Sequence, residues 1–205
     1  MAQRRPTLVL IAGPNGSGKT TLARTLRARA WFQDFTYINP DQIAQDEFGD
    51  WNAAEARSRA ALRAANLTAN SLRSRASFAI ETVLSASGVR LIERAKAAGY
   101  LTRLHFVATR DPRINVARVA DRVARHGHDI PTPTIVRRYH EAIETLPAAL
   151  ALADHATVYD NSEADQPMRR LFRTEAGRLA HLHATDLPEW ATPARQRLAA
   201  GEPER

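Results

Sequence analysis

Short apolar runs of β character recur along this chain at residues 8–12, 36–39, 77–82, 101–109 and 156–160, with segments of helical spacing between them. Strands apolar on both faces suit a parallel sheet, because helices cover it from either side. The alternation predicts an α/β fold with a five-stranded, mainly parallel sheet and flanking helices. Helices are expected at 18–30, from Pro40 with Asn39 as its cap, across 52–75, and over 88–98 with Gly99 as the stop. Within 52–75, Leu62, Ala65, Ala69 and Leu72 fall at helical spacing. Asp111-Pro112 opens a helix through Arg125, and Thr132-Pro133 opens another that runs past Leu146-Pro147, with 126–131 as the loop between them. This pair, about 111–147, is the candidate for a helical lid. Residues 169–184 suit either a hairpin turning at Glu175-Ala176-Gly177 or a short helix, and the tail 193–205 is expected to fray. The 205 residues suit one domain, 1–205, and hold no internal repeat.

The first strand runs directly into Gly13-Pro14-Asn15-Gly16-Ser17-Gly18-Lys19-Thr20, which satisfies G-x-x-x-x-G-K-[ST]. Glycines let backbone N–H groups curl around phosphate oxygens, and the helix behind the loop adds its unpaired N–H groups and dipole. Lys19 would reach the β- and γ-phosphates and Thr20 would ligate Mg²⁺, with Thr21 next to them in the first helical turn. Only Lys19 and Lys96 are lysines among 29 basic residues, so lysine stands in the loop of a chain that otherwise uses arginine.

A formal charge of +7 asks for an anionic partner without choosing among nucleotides, nucleic acids and acidic proteins. The absence of cysteine excludes disulfides and thiolate metal sites and fits a cytoplasmic protein. Arg4-Arg5 is followed by only five apolar residues before Gly13-Pro14, so neither an export signal nor a membrane anchor is expected. A guanine-nucleotide switch is disfavoured as well. Asp46-Glu47-Phe48-Gly49 fits D-x-x-G but lies inside a predicted helix, and neither lysine provides an N-K-x-D motif.

Two carboxylates fall at the carboxyl edge of the sheet, where open α/β folds bind ligands. Asp41, just past the second strand, could take a proton from a substrate hydroxyl, or could be a first-turn acid favoured by the helix dipole. Glu81 ends an otherwise apolar strand beside Thr82, where a carboxylate needs a cation, a Mg²⁺-bound water or a sugar hydroxyl. Arg118, Arg122 and Arg125, spaced i, i+4, i+7, form a cationic stripe that a polyphosphate would answer and that could otherwise be a solvated face. Arg137-Arg138 is ambiguous because Glu141 and Glu144 lie within pairing reach. His126 and His128 sit in a polar glycine loop with no further ligand nearby and are taken as loop residues.

Phosphate loop, Asn39-Pro40-Asp41, Glu81-Thr82-Val83-Leu84-Ser85, the arginine helix with Gly127-His128 and Pro131, Arg138-Tyr139, and Tyr159-Asp160-Asn161-Ser162 follow one another in an order that resembles the zeta toxin family of bacterial phosphotransferases, from about Leu8 to Ser162. That resemblance implies a P-loop kinase fold, ATP or GTP with Mg²⁺, and phosphorylation of UDP-N-acetylglucosamine, which starves cell-wall synthesis. It also implies a protein antitoxin that blocks the nucleotide site. By position it makes Lys19 and Thr20 the nucleotide and Mg²⁺ contacts, Asp41 the substrate-hydroxyl base, Glu81 and Thr82 sugar-nucleotide contacts, and Arg122 a lid arginine, with Arg138 or Arg125 as the second. The rival expectations are a kinase for another small metabolite or a nucleic-acid end, and a nucleic-acid-binding NTPase, against which few aromatics accompany the arginines.

Overall fold

The computed structural model describes residues 5–200. Strands β1 (Thr7–Ala12), β2 (Thr36–Ile38), β3 (Phe78–Thr82), β4 (Leu101–Ala108) and β5 (His155–Asp160) run parallel in the order β2-β3-β1-β4-β5. They are joined by helices α1 (Lys19–Arg27), α2 (Pro40–Phe48), α3 (Ala54–Ser74), α4 (Ala86–Ala97), α5 (Pro112–Ala124) and α6 (Thr132–Leu152). Alternation along β1 serves two cores. Val9 and Ile11 pack with Leu22, Ala23 and Leu26 of α1, while Leu10 and Ala12 join Ile92 of α4 and Ala142, Leu146 and Ala149 of α6. From β1 the chain passes to β2 and β3 on one side and then crosses to β4 and β5 on the other, and the crevice at the carboxyl end of β1 is where such sheets hold ligands. Helix α6 continues through Pro147. The second lysine is structural: Lys96 Nζ donates to the Leu152 carbonyl at the end of α6 (2.6 Å) and pairs with Asp154 (3.2 Å).

Three expectations change. The sheet has seven strands rather than five, because 169–184 forms the hairpin β6 (Arg169–Glu175) and β7 (Arg178–Leu182), which adds antiparallel to β5. Ala176 and Gly177 both take positive φ, the geometry a two-residue turn needs to match strand twist. Helix α3 buries Ala56, Ala60, Ala64, Thr68 and Ser71, not the leucine-containing stripe, and Leu62 is 64% exposed. Small side chains take the contact because α2 lies against α3. Thr68 and Ser71 return their hydroxyls to the carbonyls of Ala64 and Leu67, so they are buried without an unpaired group.

The third change is at the tail. Residues 193–200 do not fray but belong to helix α7 (Thr192–Ala200), and Trp190, Ala191, Ala194 and Leu198 complete the larger core; residues 201–205 lie outside the described ones. Trp190 packs on Phe106 at 5.9 Å between ring centres and donates Nε1–H to Asp160 Oδ1 (3.3 Å). Burial of that indole anchors the segment. Trp190→Ala is expected to lower unfolding free energy by about 3–5 kcal/mol in urea denaturation, whereas Leu62→Ala should stay within about 0.5 kcal/mol.

Candidate active site

Residues 13–18 turn between β1 and α1 with Gly13, Gly16 and Gly18 at positive φ. A Cβ on Gly16 would stand 2.6 Å from the Asn115 carbonyl oxygen, so backbone space and φ both require glycine there; at Gly18 φ requires it, and a Cβ would also displace the Asn161 amide. The two asparagines that hem the loop also pull its carbonyls outward. Asn115 Nδ2 donates to the Asn15 carbonyl and Asn161 Nδ2 to that of Ser17 (2.8 Å). With carbonyls turned away, N–H groups turn in; among the described residues those of Gly16, Gly18 and Lys19 have no acceptor in the protein.

Lys19 is buried and folds back so that Nζ donates to the Pro14 carbonyl (2.8 Å). Burial pushes its ammonium pKa down, Glu81 and Asp41 pull it back up, and the charges of Arg122 and Arg138 depress it again. Those four side chains therefore all act on Lys19 through their charges. A cleft of about 380 Å³ opens beside it, lined by Asn15, Asp41, Glu81, Thr82 and Arg138 among others.

Glu81, at the end of β3, is 7% exposed and its two oxygens are filled from three elements. Thr20 Oγ1 donates to Oε1 (2.8 Å), and the Tyr37 hydroxyl (2.7 Å) and Asn39 Nδ2 (3.2 Å) donate to Oε2. Burial and the Glu81 charge push the Tyr37 phenol well above its ordinary range, which keeps it a donor. Asn39 uses its other atom as the cap of α2: Oδ1 accepts from the N–H groups of Asp41 (3.0 Å) and Gln42 (3.3 Å). The cap thus ties Asp41's backbone to Glu81. The Asp41 side chain is 52% exposed and reaches the cleft. Burial pushes its carboxyl up, but the His128 contact and the charges of His128, Lys19 and Arg122 outweigh that and hold it below the usual carboxylate value.

From the opposite side come α5 and α6. Arg138 Nη1 donates to Asn15 Oδ1 (3.2 Å) at the rim of the cleft, while Arg137 pairs with Glu141 (3.3 Å), which separates the two neighbours that sequence left ambiguous. The arginines of α5 differ in the contacts they make within the protein. Arg118 donates to the Asn161 carbonyl (2.7 Å) next to the loop, and Arg122 donates Nε and Nη2 to the His128 carbonyl (3.0 and 2.6 Å). Arg125 ends α5 and is exposed, and all three arginines line one outer hollow with Trp51 rather than the cleft itself.

The structure thus brings Lys19, Asp41, Glu81, Thr82 and Arg138 around one cleft, with Thr20 bound to Glu81 at its edge; Arg122 acts on Lys19 and Asp41 through its charge, and its side chain lines the outer hollow together with Arg118 and Arg125. Thr21 is exposed on the first turn of α1. Sequence reasoning missed Tyr37 and Asn115, whose signals were single polar residues in a strand and a helix. It also missed His128, taken as a loop residue but buried at 8% exposure with Nδ1 3.3 Å from Asp41 Oδ2. Among the described residues no three His, Asp or Glu side chains come together as a metal site, and no helix is long and apolar enough to cross a membrane.

An uncharacterized protein of Haemophilus influenzae is 29% identical to this chain over 134 residues, 64% of this chain and 91% of that one. Among solved structures, one from the PezAT chromosomal toxin-antitoxin system of Streptococcus pneumoniae matches with a TM-score of 0.60 at 18% identity, covering 98% of this chain and 88% of that chain. The AvrRxo1-ORF1:AvrRxo1-ORF2 structure with sulphate ions matches with a TM-score of 0.64 at 19% identity over 95% of this chain and 64% of that chain, and the same pair has been determined with ATP. These likenesses show the fold. The zeta toxin family model matches residues 1–167, which together with the phosphate loop and the strand order places this chain in the zeta toxin family, with a P-loop kinase fold.

Proposed function

We propose that the protein is a kinase that transfers the γ-phosphoryl of ATP or GTP to a hydroxyl of a nucleotide sugar, UDP-N-acetylglucosamine. The observation that carries this is the meeting of a phosphate loop, two cations and an unpaired carboxylate oxygen at one cleft, Lys19 and Arg138 on the phosphate side and Asp41 on the acceptor side, with Arg122 near enough to act on Lys19 and Asp41 through its charge. The family supports a phosphotransferase, and the choice of acceptor rests on the family likeness at Asp41, Glu81 and Thr82.

Each side chain has a physical task in that reaction. The N–H groups of Gly16, Gly18 and Lys19 would receive the β-phosphate, and the Lys19 ammonium would exchange the Pro14 carbonyl for a phosphate oxygen, a stronger charge-assisted partner. Arg138 and Arg122 would add positive charge where negative charge builds on the transferring group. Mg²⁺ would fit beside the Thr20 hydroxyl, whose Glu81 partner supplies a carboxylate at hydrogen-bond range, and its chemistry there would be charge neutralisation. Asp41, below the usual carboxylate pKa and half exposed to the cleft, is ionised at neutral pH and can accept the proton of the acceptor hydroxyl as its oxygen bonds to phosphorus and the donor's bridging P–O bond breaks. Glu81 and Thr82 line the same cleft on the acceptor side. A protein antitoxin covering this cleft is the proposed partner, as the Streptococcus pneumoniae neighbour comes from a toxin-antitoxin system.

Two substitutions separate the roles. Lys19→Ala should reduce transfer on the order of 10²–10³-fold and weaken nucleotide binding in calorimetric titration. Asp41→Asn should reduce transfer on the order of 10²–10⁴-fold while nucleotide affinity holds. Equal loss of nucleotide affinity in Asp41→Asn would make Asp41 part of the donor site instead.

The acceptor is tested by incubating protein, Mg²⁺ and ATP with a metabolite panel that includes UDP-N-acetylglucosamine, sugar alcohols and RNA 5′ ends, and following mass. The nucleotide sugar should gain one phosphate. Phosphate on another metabolite or on RNA would keep the kinase and remove this acceptor.

A further inference from the structure

We infer that His128 is a positioning residue for the phosphoryl-transfer reaction: carried in on the α5–α6 loop, its imidazole Nδ1–H completes a pair with Asp41 Oδ2 and turns Oδ1 toward the acceptor hydroxyl. This rests on Asp41 being the base, as proposed above. The placement begins with how α5 ends. Arg125 caps it, His126 takes a left-handed conformation (φ 61°), His126 N–H donates to the Val123 carbonyl (2.9 Å), and Gly127 N–H donates to the Arg122 carbonyl (2.9 Å). That is a Schellman turn, which reverses the chain sharply. A Cβ on Gly127 would lie 2.4 Å from Arg122 Cγ and 2.8 Å from the Arg122 carbonyl oxygen, so the turn is pressed against the helix it ends.

The reversal delivers His128 inward, and three contacts hold it there. Its carbonyl accepts the two Arg122 donors, its ring lies near-parallel to Trp51 at 6.5 Å between ring centres, and the next residue, Asp129, donates its N–H to Asn52 Oδ1 (2.8 Å). Trp51 and Asn52 belong to the connection between α2 and α3, so the loop is docked on the element that follows Asp41's own helix. Nδ1 ends up buried with no aligned hydrogen-bond partner, and the one acceptor in range is Asp41 Oδ2 at 3.3 Å. A buried donor left unpaired is costly, and Asp41, half exposed, is the partner free to turn. The groups that bear on the pair are Lys19 from α1, Arg122 from α5, and the apolar face of Trp51. The arrangement couples base orientation to loop docking: Arg122 is engaged with the loop through the carbonyl of the residue that orients Asp41.

Removing the imidazole should slow chemistry more than binding, and because His128 is among the groups that hold Asp41 below its ordinary pKa, its removal should move the acid limb of kcat to higher pH. The test uses full-length protein. His128→Leu, which keeps bulk against Trp51, should lower kcat about 10- to 100-fold with KM for both substrates within threefold, and shift the acid limb upward. His128→Asn, whose side-chain N–H falls near the place of Nδ1, should recover most of kcat and return the acid limb toward wild type. A His128→Leu variant with wild-type kcat and acid limb, while Asp41→Asn is inactive, overturns the role of His128 and leaves Asp41 as base. An active Asp41→Asn overturns the base itself, and the inference with it. Equal losses in Leu and Asn variants, with matching falls in thermal stability, would make His128 packing alone and also overturn it.

Discussion

The buried carboxylate of Glu81 is the constraint around which one wall of the cleft is arranged. An ionised carboxyl out of water is costly unless its lone pairs are filled. Here Thr20 from the start of α1, Tyr37 from β2 and Asn39 from the cap of α2 each donate to it, so three segments meet on one side chain. One consequence is that the phosphate loop is tied to the second strand. Another is that Asp41, whose N–H is bound by the same Asn39, has its backbone fixed with respect to the phosphate loop. Lys19 feels the charge of Glu81 before that of any other residue, so the acid also helps to keep a fully buried ammonium charged.

On the donor side the controlling feature is orientation of the backbone. Asn115 and Asn161 each take one loop carbonyl, Thr109 in turn binds Asn115 Oδ1, and the result is a row of inward N–H groups fixed before any phosphate arrives. The charges of Arg122 and Arg138 each work against that of Lys19, and burial depresses the pKa of Arg122 as it does that of Lys19. Glu81 and Asp41 offset part of that cost, and an anion with several charges on adjacent oxygens would offset more.

Much of the frame was legible because it follows from local rules. A glycine loop between a buried strand and a helix, Asn39 before Pro40, and the Asp111-Pro112 start each specify their own geometry, and all three stand as expected. What could not be read depended on partners distant in sequence. Glu81 was visible as an anomaly in an apolar strand, yet Tyr37 as its donor is a matter of β2 lying beside β3. His128 looked like a loop residue because its burial comes from Trp51 and a turn pressed on Arg122. The arginine spacing was right as helix geometry: Arg118, Arg122 and Arg125 line one hollow, but the carbonyls that Arg118 and Arg122 bind belong to Asn161 and His128, partners the spacing could not reveal. In α3 the pattern misled because close packing against α2 selects small side chains over leucine.

The central claim, that the 13–20 loop is a preformed cradle from which Lys19 is released by phosphate, is tested most directly by a crystal structure with Mg²⁺ and a non-hydrolysable ATP analogue. The expected result is Lys19 Nζ moved from the Pro14 carbonyl to phosphate oxygens, the Gly16, Gly18 and Lys19 N–H groups on the β-phosphate, and Asn115 and Asn161 still holding the loop carbonyls. A nucleotide bound elsewhere, or bound here with Lys19 still on Pro14, would contradict it.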